Sequence, residues 1–156
     1  MREIIYDDQL YAVHDSLESL EFQKCELDNG QTAINTIYDA NSKWYSDKVE
    51  PIQASRMCYN GGKMFDTHKH KMRPRLSNYT QECFIIHKGK IRIEIYSEES
   101  SMDSLNNIGT IEAKAGDIVI LYKGYHGLIV LEDNSIFYEI KNGPFTNVKE
   151  DKEYLK

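Results

Sequence analysis

Between residues 52 and 141 apolar and polar positions alternate in short runs. In Ile91-Arg-Ile-Glu-Ile-Tyr96 isoleucine takes every second place. A strand's period of two puts Ile91, Ile93 and Ile95 on one face, with Arg92 and Glu94 on the other. Similar short apolar runs, bounded by turn residues, predict strands over Ile52–Tyr59, Gln81–His87, Ile108–Ala113, Ile118–Tyr122, Gly127–Leu131 and Ile136–Lys141. Turn signals separate them: Asn60-Gly61-Gly62, Lys88-Gly89-Lys90, Ala115-Gly116-Asp117, Lys123-Gly124 and Glu132-Asp-Asn134. Many short strands at roughly ten-residue intervals predict an all-β sandwich or barrel.

Residues 1–50 read differently, because their apolar spacing is irregular. Asp15-Ser-Leu-Glu18 has the form of a capping box and Gly30 can end a short helix. Leu20, Phe22 and Leu27 fit a strand about as well. The expected division is therefore a mixed N-terminal extension over 1–50 and a β domain over 51–156.

Composition narrows the classes. The chain has 156 residues, 40% hydrophobic and 28% charged, which suits one globular domain. No apolar run approaches the ~20 residues of a membrane-spanning helix. The start, MREIIYDDQL, carries acidic residues where an export signal has a long apolar stretch. Cys25, Cys58 and Cys83 are odd in number and lack CxxC spacing, which suits a reducing compartment. The expected location is the cytoplasm, with no membrane partner.

The net charge of −6 is uneven. Residues 1–50 hold 4 basic and 11 acidic side chains, residues 63–90 hold 7 and 2, and residues 91–156 hold 7 and 12. A nucleic-acid binder is usually basic overall or along one face, so nucleic acid is not an expected partner.

The histidines carry the candidate chemistry. His68 and His70 sit two apart, and on a strand both rings would face one point. Glu82 lies on the next predicted strand, and His126 follows the Tyr122-Lys-Gly-Tyr turn. Three imidazoles and a carboxylate suit one divalent first-row metal ion: Fe, Zn or Ni, with Mn admitted by the carboxylate. An isolated His-x-His pair also arises by chance, so the weight rests on the rest of the spacing. The basic stretch His68–Arg75 contrasts with the acidic remainder. Lys71, Arg73 and Arg75 are candidates to clamp a phosphate or carboxylate. Arg56 and Tyr138 lie on predicted strands, where facing the interior and ordinary packing are equally open. His87 reads as an exposed turn residue, Cys83 as a packed core thiol, and His14 has no assigned role.

These residues carry a resemblance to the cupins. That family's first motif runs glycine, His-x-His, glutamate, six residues, glycine. Gly62, His68-Lys-His70, Glu82 and Gly89 follow this order, with six residues between Glu82 and Gly89. Its second motif is resembled by Gly116, five residues, Tyr122-Lys-Gly124 and His126. Tyr122 stands where the family has proline, one residue is missing before His126, and Lys71–Gln81 lengthens the usual gap before the glutamate. Ser135–Phe145 with Asp151-Lys152-Glu153 resembles the ending of the small bacterial cupin-fold metalloproteins of the WbuC type.

The resemblance implies a double-stranded β-helix (jelly roll), a metal at His68, His70, Glu82 and His126, and a homodimer. Members of that group tend to lie among genes for surface-polysaccharide synthesis. The expected partner is a small anionic molecule, such as a sugar or nucleotide-sugar intermediate. The expected chemistry is Lewis-acid isomerisation or epimerisation at the metal. The alternatives are a non-catalytic binding or sensing module, a metal-free sugar epimerase using Tyr125 or Tyr138, and an Fe(II) dioxygenase.

Overall fold

Backbone pairing follows the alternation closely after residue 81. The computed structural model describes residues 2–16, 25–26, 32–33, 43–45, 51–56, 64, 66–70, 79–143 and 147–154. Among the described residues the strands are β1 (Arg2–Tyr6), β2 (Gln9–Asp15), β3 (Cys25–Glu26), β4 (Thr32–Ala33), β5 (Lys43–Trp44) and β6 (Ser55–Arg56). They continue with β7 (Glu82–Lys88), β8 (Lys90–Tyr96), β9 (Asn107–Lys114), β10 (Ile118–Leu121), β11 (Tyr125–Val130) and β12 (Ile136–Lys141). The helical turn α1 (Val148–Asp151) follows. No helix among the described residues is long and apolar enough to cross a membrane.

The chain divides into two units, one of residues 1–19 with 77–156 and one of residues 20–76. The larger holds two antiparallel sheets. One has the order β1-β2-β10-β7-β12, the other β11-β8-β9. Their inner faces meet in a core that includes Ile4, Phe84, Ile86 and Val119 from the first sheet and Ile91, Ile93, Ile95 and Ile111 from the second. Arg92 and Glu94 face outward from the same strand, as the alternation requires. The all-β expectation holds in this form, a two-layered arrangement of antiparallel sheets.

The strand order is nested. The turn at Ala115-Gly116 joins β9 to β10, β8 pairs with β11, and β7 pairs with β12. Gly89 closes the β7–β8 hairpin at φ +79°, and a Cβ there would lie 2.8 Å from Ser135 Cα. Only glycine fits that corner.

Residues 2–15, assigned above to the extension, build two strands of the larger sheet. β2 pairs with β10, setting His14 opposite Val119 and Asp15 opposite Ile118. The connection to β1 is a two-residue turn with Asp7 at φ 48° and Asp8 at φ 55°. Positive φ at both central positions is the geometry that matches the twist of a hairpin. Asp15, the first residue of the capping-box reading, ends β2, and residues 17–24 and 27–31 lie outside the described residues.

In the unit of residues 20–76, β3 pairs with β4 and β5 with β6. Tyr45 is buried there, and its N–H donates to Ala54 O at 2.9 Å. Of the strand expected over Ile52–Tyr59, β6 takes Ser55–Arg56, while residues 57–59 and the turn Asn60–Gly62 lie outside the described residues.

Candidate functional site

Glu82 opens β7, and its entry is pinned by an amide. Asn142 Oδ1 accepts the Gln81 N–H at 2.6 Å, while Asn142 Nδ2 donates to Tyr79 O at 3.0 Å. Residues 79–81 are thereby held against the end of β12, and Glu82 pairs across the ladder with Lys141 and Leu121.

His126 is the second residue of β11. The chain reaches it through Lys123-Gly124, where Gly124 adopts φ +87° and a Cβ would lie 2.6 Å from Tyr96 O. Glu82 belongs to the five-stranded sheet and His126 to the three-stranded one, so the pair links the two layers. His126 Nε2 lies 2.9 Å from Glu82 Oε2. The glutamate is 7% exposed. The hydrogen bond from His126 holds its carboxyl below the usual range, overcoming burial and helped by the charges of His126, Lys152 and Lys141.

The other nitrogen, His126 Nδ1, is 3.4 Å from Gly124 O. A carbonyl only accepts, so Nδ1 donates in this contact, and the contact with the Glu82 carboxylate, another acceptor, likewise needs a donor at Nε2. A backbone carbonyl as partner of one ring nitrogen is also what orients imidazoles that ligate metals through the other. Two donors each ~2.1 Å from one ion, at right angles, lie about 3 Å apart. The Glu82–His126 separation therefore fits an edge of a coordination shell as well as it fits a hydrogen bond.

A cleft of about 620 Å³ opens over the pair, within the size range of small-molecule sites. Its walls include Tyr79, Tyr125 and Tyr154, the carboxylates Glu98, Asp151 and Glu153, and the ammonium groups of Lys123 and Lys152. Carboxylates outnumber lysines in this lining. Two signals lay in the sequence for its ends, the glutamate with six residues between it and Gly89 and the histidine after the Gly124 turn. No motif gave Tyr79, Asn142 or Lys152 a place at a site; Asn142 and Lys152 fall within the stretches that resemble a family ending, which assigned them no role.

The other sequence-derived candidates fall as follows. His68 and His70 are exposed, outside any regular element, with ring centroids 5.4 Å apart at 78°. His68 Nδ1 meets Asp66 O at 2.8 Å, which leaves its Nε2 free to act as a donor atom. Among the described residues no three His, Cys, Asp or Glu side chains lie close enough to share a metal. Arg56 is placed in β6 by its backbone, with its side chain outside the description; Lys71, Arg73 and Arg75 lie outside the described residues. Tyr138 is 56% exposed on β12, its ring edge-on to exposed His87 at 6.2 Å. Cys83 is buried, and desolvation pushes its thiol up to about 11. His14, without an assigned role above, bonds Asp117 at 2.9 Å. Comparison with known families, curated proteins and solved structures gives no match for this chain.

Proposed function

We propose that the chain is a metal-binding jelly-roll protein of cupin type, whose cleft takes a small anionic metabolite. Support for the fold comes from the nesting of strands. An antiparallel ribbon that turns at Ala115-Gly116, with β8 on β11 and β7 on β12, is the pairing expected of a rolled double-stranded β-helix. Support for the site comes from one observation above the others: the Glu82–His126 contact of 2.9 Å at a cleft.

Glu82 and His126 would hold a divalent ion, and the ion would supply Lewis-acid polarisation of a ligand oxygen. Its charge offsets the carboxylate excess of the cleft, so an anion can enter a site that otherwise repels it. Elemental analysis of protein purified without an affinity tag tests this. The expected result is a first-row metal in the wild type and its loss in His126→Ala. The expectation that His68 and His70 are ligands rests on motif order and enters the same assay as His68→Ala and His70→Ala. Wild-type metal content in His126→Ala sinks the reading.

A second reading is favoured by the same contact. A carboxylate bonded to an imidazole beside Tyr125 is an acid–base pair that needs no metal. It requires turnover of a sugar substrate that survives chelation, whereas the metal reading requires its loss.

A further inference from the structure

Asn142 follows the last residue of β12, and Gly143 follows Asn142. Both lie past the final ladder pair, Lys141 with Glu82. The Asn142 amide is held at both ends, its Oδ1 accepting the Gln81 N–H at 2.6 Å and its Nδ2 donating to Tyr79 O at 3.0 Å. A donor on one side and a carbonyl on the other fix which way the amide points. One side chain thus ties residues 79–81, which lead into Glu82 and bring Tyr79 and Thr80 to the cleft, to the end of β12. A carboxylate cannot do the same work, because it would set an acceptor against the Tyr79 carbonyl, another acceptor.

The dipeptide has chemistry of its own. With no Cβ on residue 143, the Gly143 nitrogen can approach Asn142 Cγ closely. It attacks that carbon and gives up its proton, the Cγ–Nδ2 bond breaks, and Nδ2 leaves as ammonia. Water then opens the five-membered imide at either carbonyl, leaving aspartate or isoaspartate, with nothing oxidised or reduced. Gly143 is exposed, so water reaches the imide. The new carboxylate adjoins Lys141, whose ammonium already stands 3.3 Å from Asp151 and 3.7 Å from Glu139.

We propose that Asn142-Gly143 is a deamidation site, and that its conversion releases residues 79–81 from β12 and loosens one wall of the cleft. The two hydrogen bonds of the amide hold Cγ in place, so the folded chain reacts more slowly than the unfolded one. The change runs one way, since the ammonia is lost. The proposal needs neither an ion nor a ligand, and it stands or falls apart from both readings of the cleft given above. Asn29-Gly30 and Asn60-Gly61 repeat the dipeptide and serve as references for its intrinsic rate in urea.

The test incubates the full chain at mildly alkaline pH, folded and in urea, and follows each Asn-Gly peptide by mass spectrometry. Asn142 is expected to convert in the folded chain several-fold more slowly than in urea, and Gly143→Ala to suppress the reaction. The converted chains, separated by anion exchange through their added charge, are refolded where needed and compared with fresh protein by hydrogen exchange. Exchange of the Gln81 N–H is expected to be about tenfold faster in the converted form, the loss of one hydrogen bond. Asn142→Asp should reproduce that increase; if this variant does not fold, the aged wild type gives the same comparison. Asn142 that converts in urea but stays intact in the folded chain overturns the site. Equal rates folded and unfolded, or conversion with unchanged Gln81 exchange, overturn the clamp on which the proposal rests.

Discussion

His14 Nε2 donates to Asp117 Oδ2 across 2.9 Å, joining β2 to the turn between β9 and β10. Asp117 is 3% exposed and accepts a second bond from the Lys114 N–H at 3.1 Å, while its Oδ1 has no partner among the described residues. Among the described residues the imidazole is thus the one side chain compensating a buried carboxylate. His14→Ala should cost about 2–3 kcal/mol, since it strands that group instead of deleting a neutral contact. Urea unfolding of His14→Ala, Asp117→Ala and the double variant checks it. A coupling energy above ~1 kcal/mol is expected, and simple additivity would show that the pair contributes nothing.

Cys83 lies beside Glu82 on β7 but is closed off from solvent. With burial holding the thiol to about 11, roughly one molecule in a thousand carries the thiolate at pH 8. Iodoacetamide at pH 8 should therefore label Cys83 about two orders of magnitude more slowly in the native chain than in urea, as read by peptide mass spectrometry. The same shift sets a sign for stability. The folded value lies above the unfolded one, so the contribution is complete below pH 9.0 and is lost as pH rises toward 11. Cys83→Ala should flatten that alkaline limb, and an unchanged limb would assign it to other groups.

Two turns make opposite predictions about glycine. Asp8 holds φ 55° in the β1–β2 hairpin, a region that costs most residues 1–2 kcal/mol and aspartate somewhat less. Asp8→Gly should raise stability by about 0.5 kcal/mol, the relief of strain exceeding the entropy that glycine adds to the unfolded chain. At Gly89 the reverse holds. Gly89→Ala meets both a positive φ and the Ser135 backbone, and should cost about 2 kcal/mol or more. Thermal unfolding of both variants decides the point; a stabilised Gly89→Ala would mean the hairpin is built differently.

The strands after residue 81 were legible from short apolar runs between turn residues, and β8 most plainly, because it hides every second side chain in the core. Burial imposes a period that survives in the sequence, as Ile91, Ile93 and Ile95 show. β1 and β2 were not legible, because Asp7-Asp8 stands where a hairpin usually advertises itself with Asn-Gly or Asp-Gly, and a bulge between Ile4 and Ile5 breaks the alternation. Glu82 and His126 could be singled out from their distance to glycine turns, since those turns fix where a strand begins. Lys152 could not. Its place depends on a tail returning to β12 through Lys141–Asp151, and a charged tail looks the same whether it returns or remains in solvent.

A divalent ion that binds the folded chain should also stabilise it. At free metal near 100 times the dissociation constant the gain is about 2.7 kcal/mol, which for a chain of this length raises the melting temperature by roughly 5–10 °C. Zn(II), Ni(II), Mn(II) and Co(II) added singly to metal-stripped protein provide the measurement. Glu82→Gln and His126→Ala should remove the shift, because each deletes one of the two donor atoms brought together at the cleft. The shift should shrink on acidification, since a proton on His126 Nε2 competes with the ion, whereas Glu82, already held below the usual carboxylate range, stays ionised longer. Loss of the shift in His68→Ala and His70→Ala as well would add both to the ligand set, and retention in those two would confine the ion to the Glu82–His126 pair and water. No shift with any of the four metals would leave the 2.9 Å contact as an ordinary ion pair and transfer the cleft to the metal-free acid–base reading.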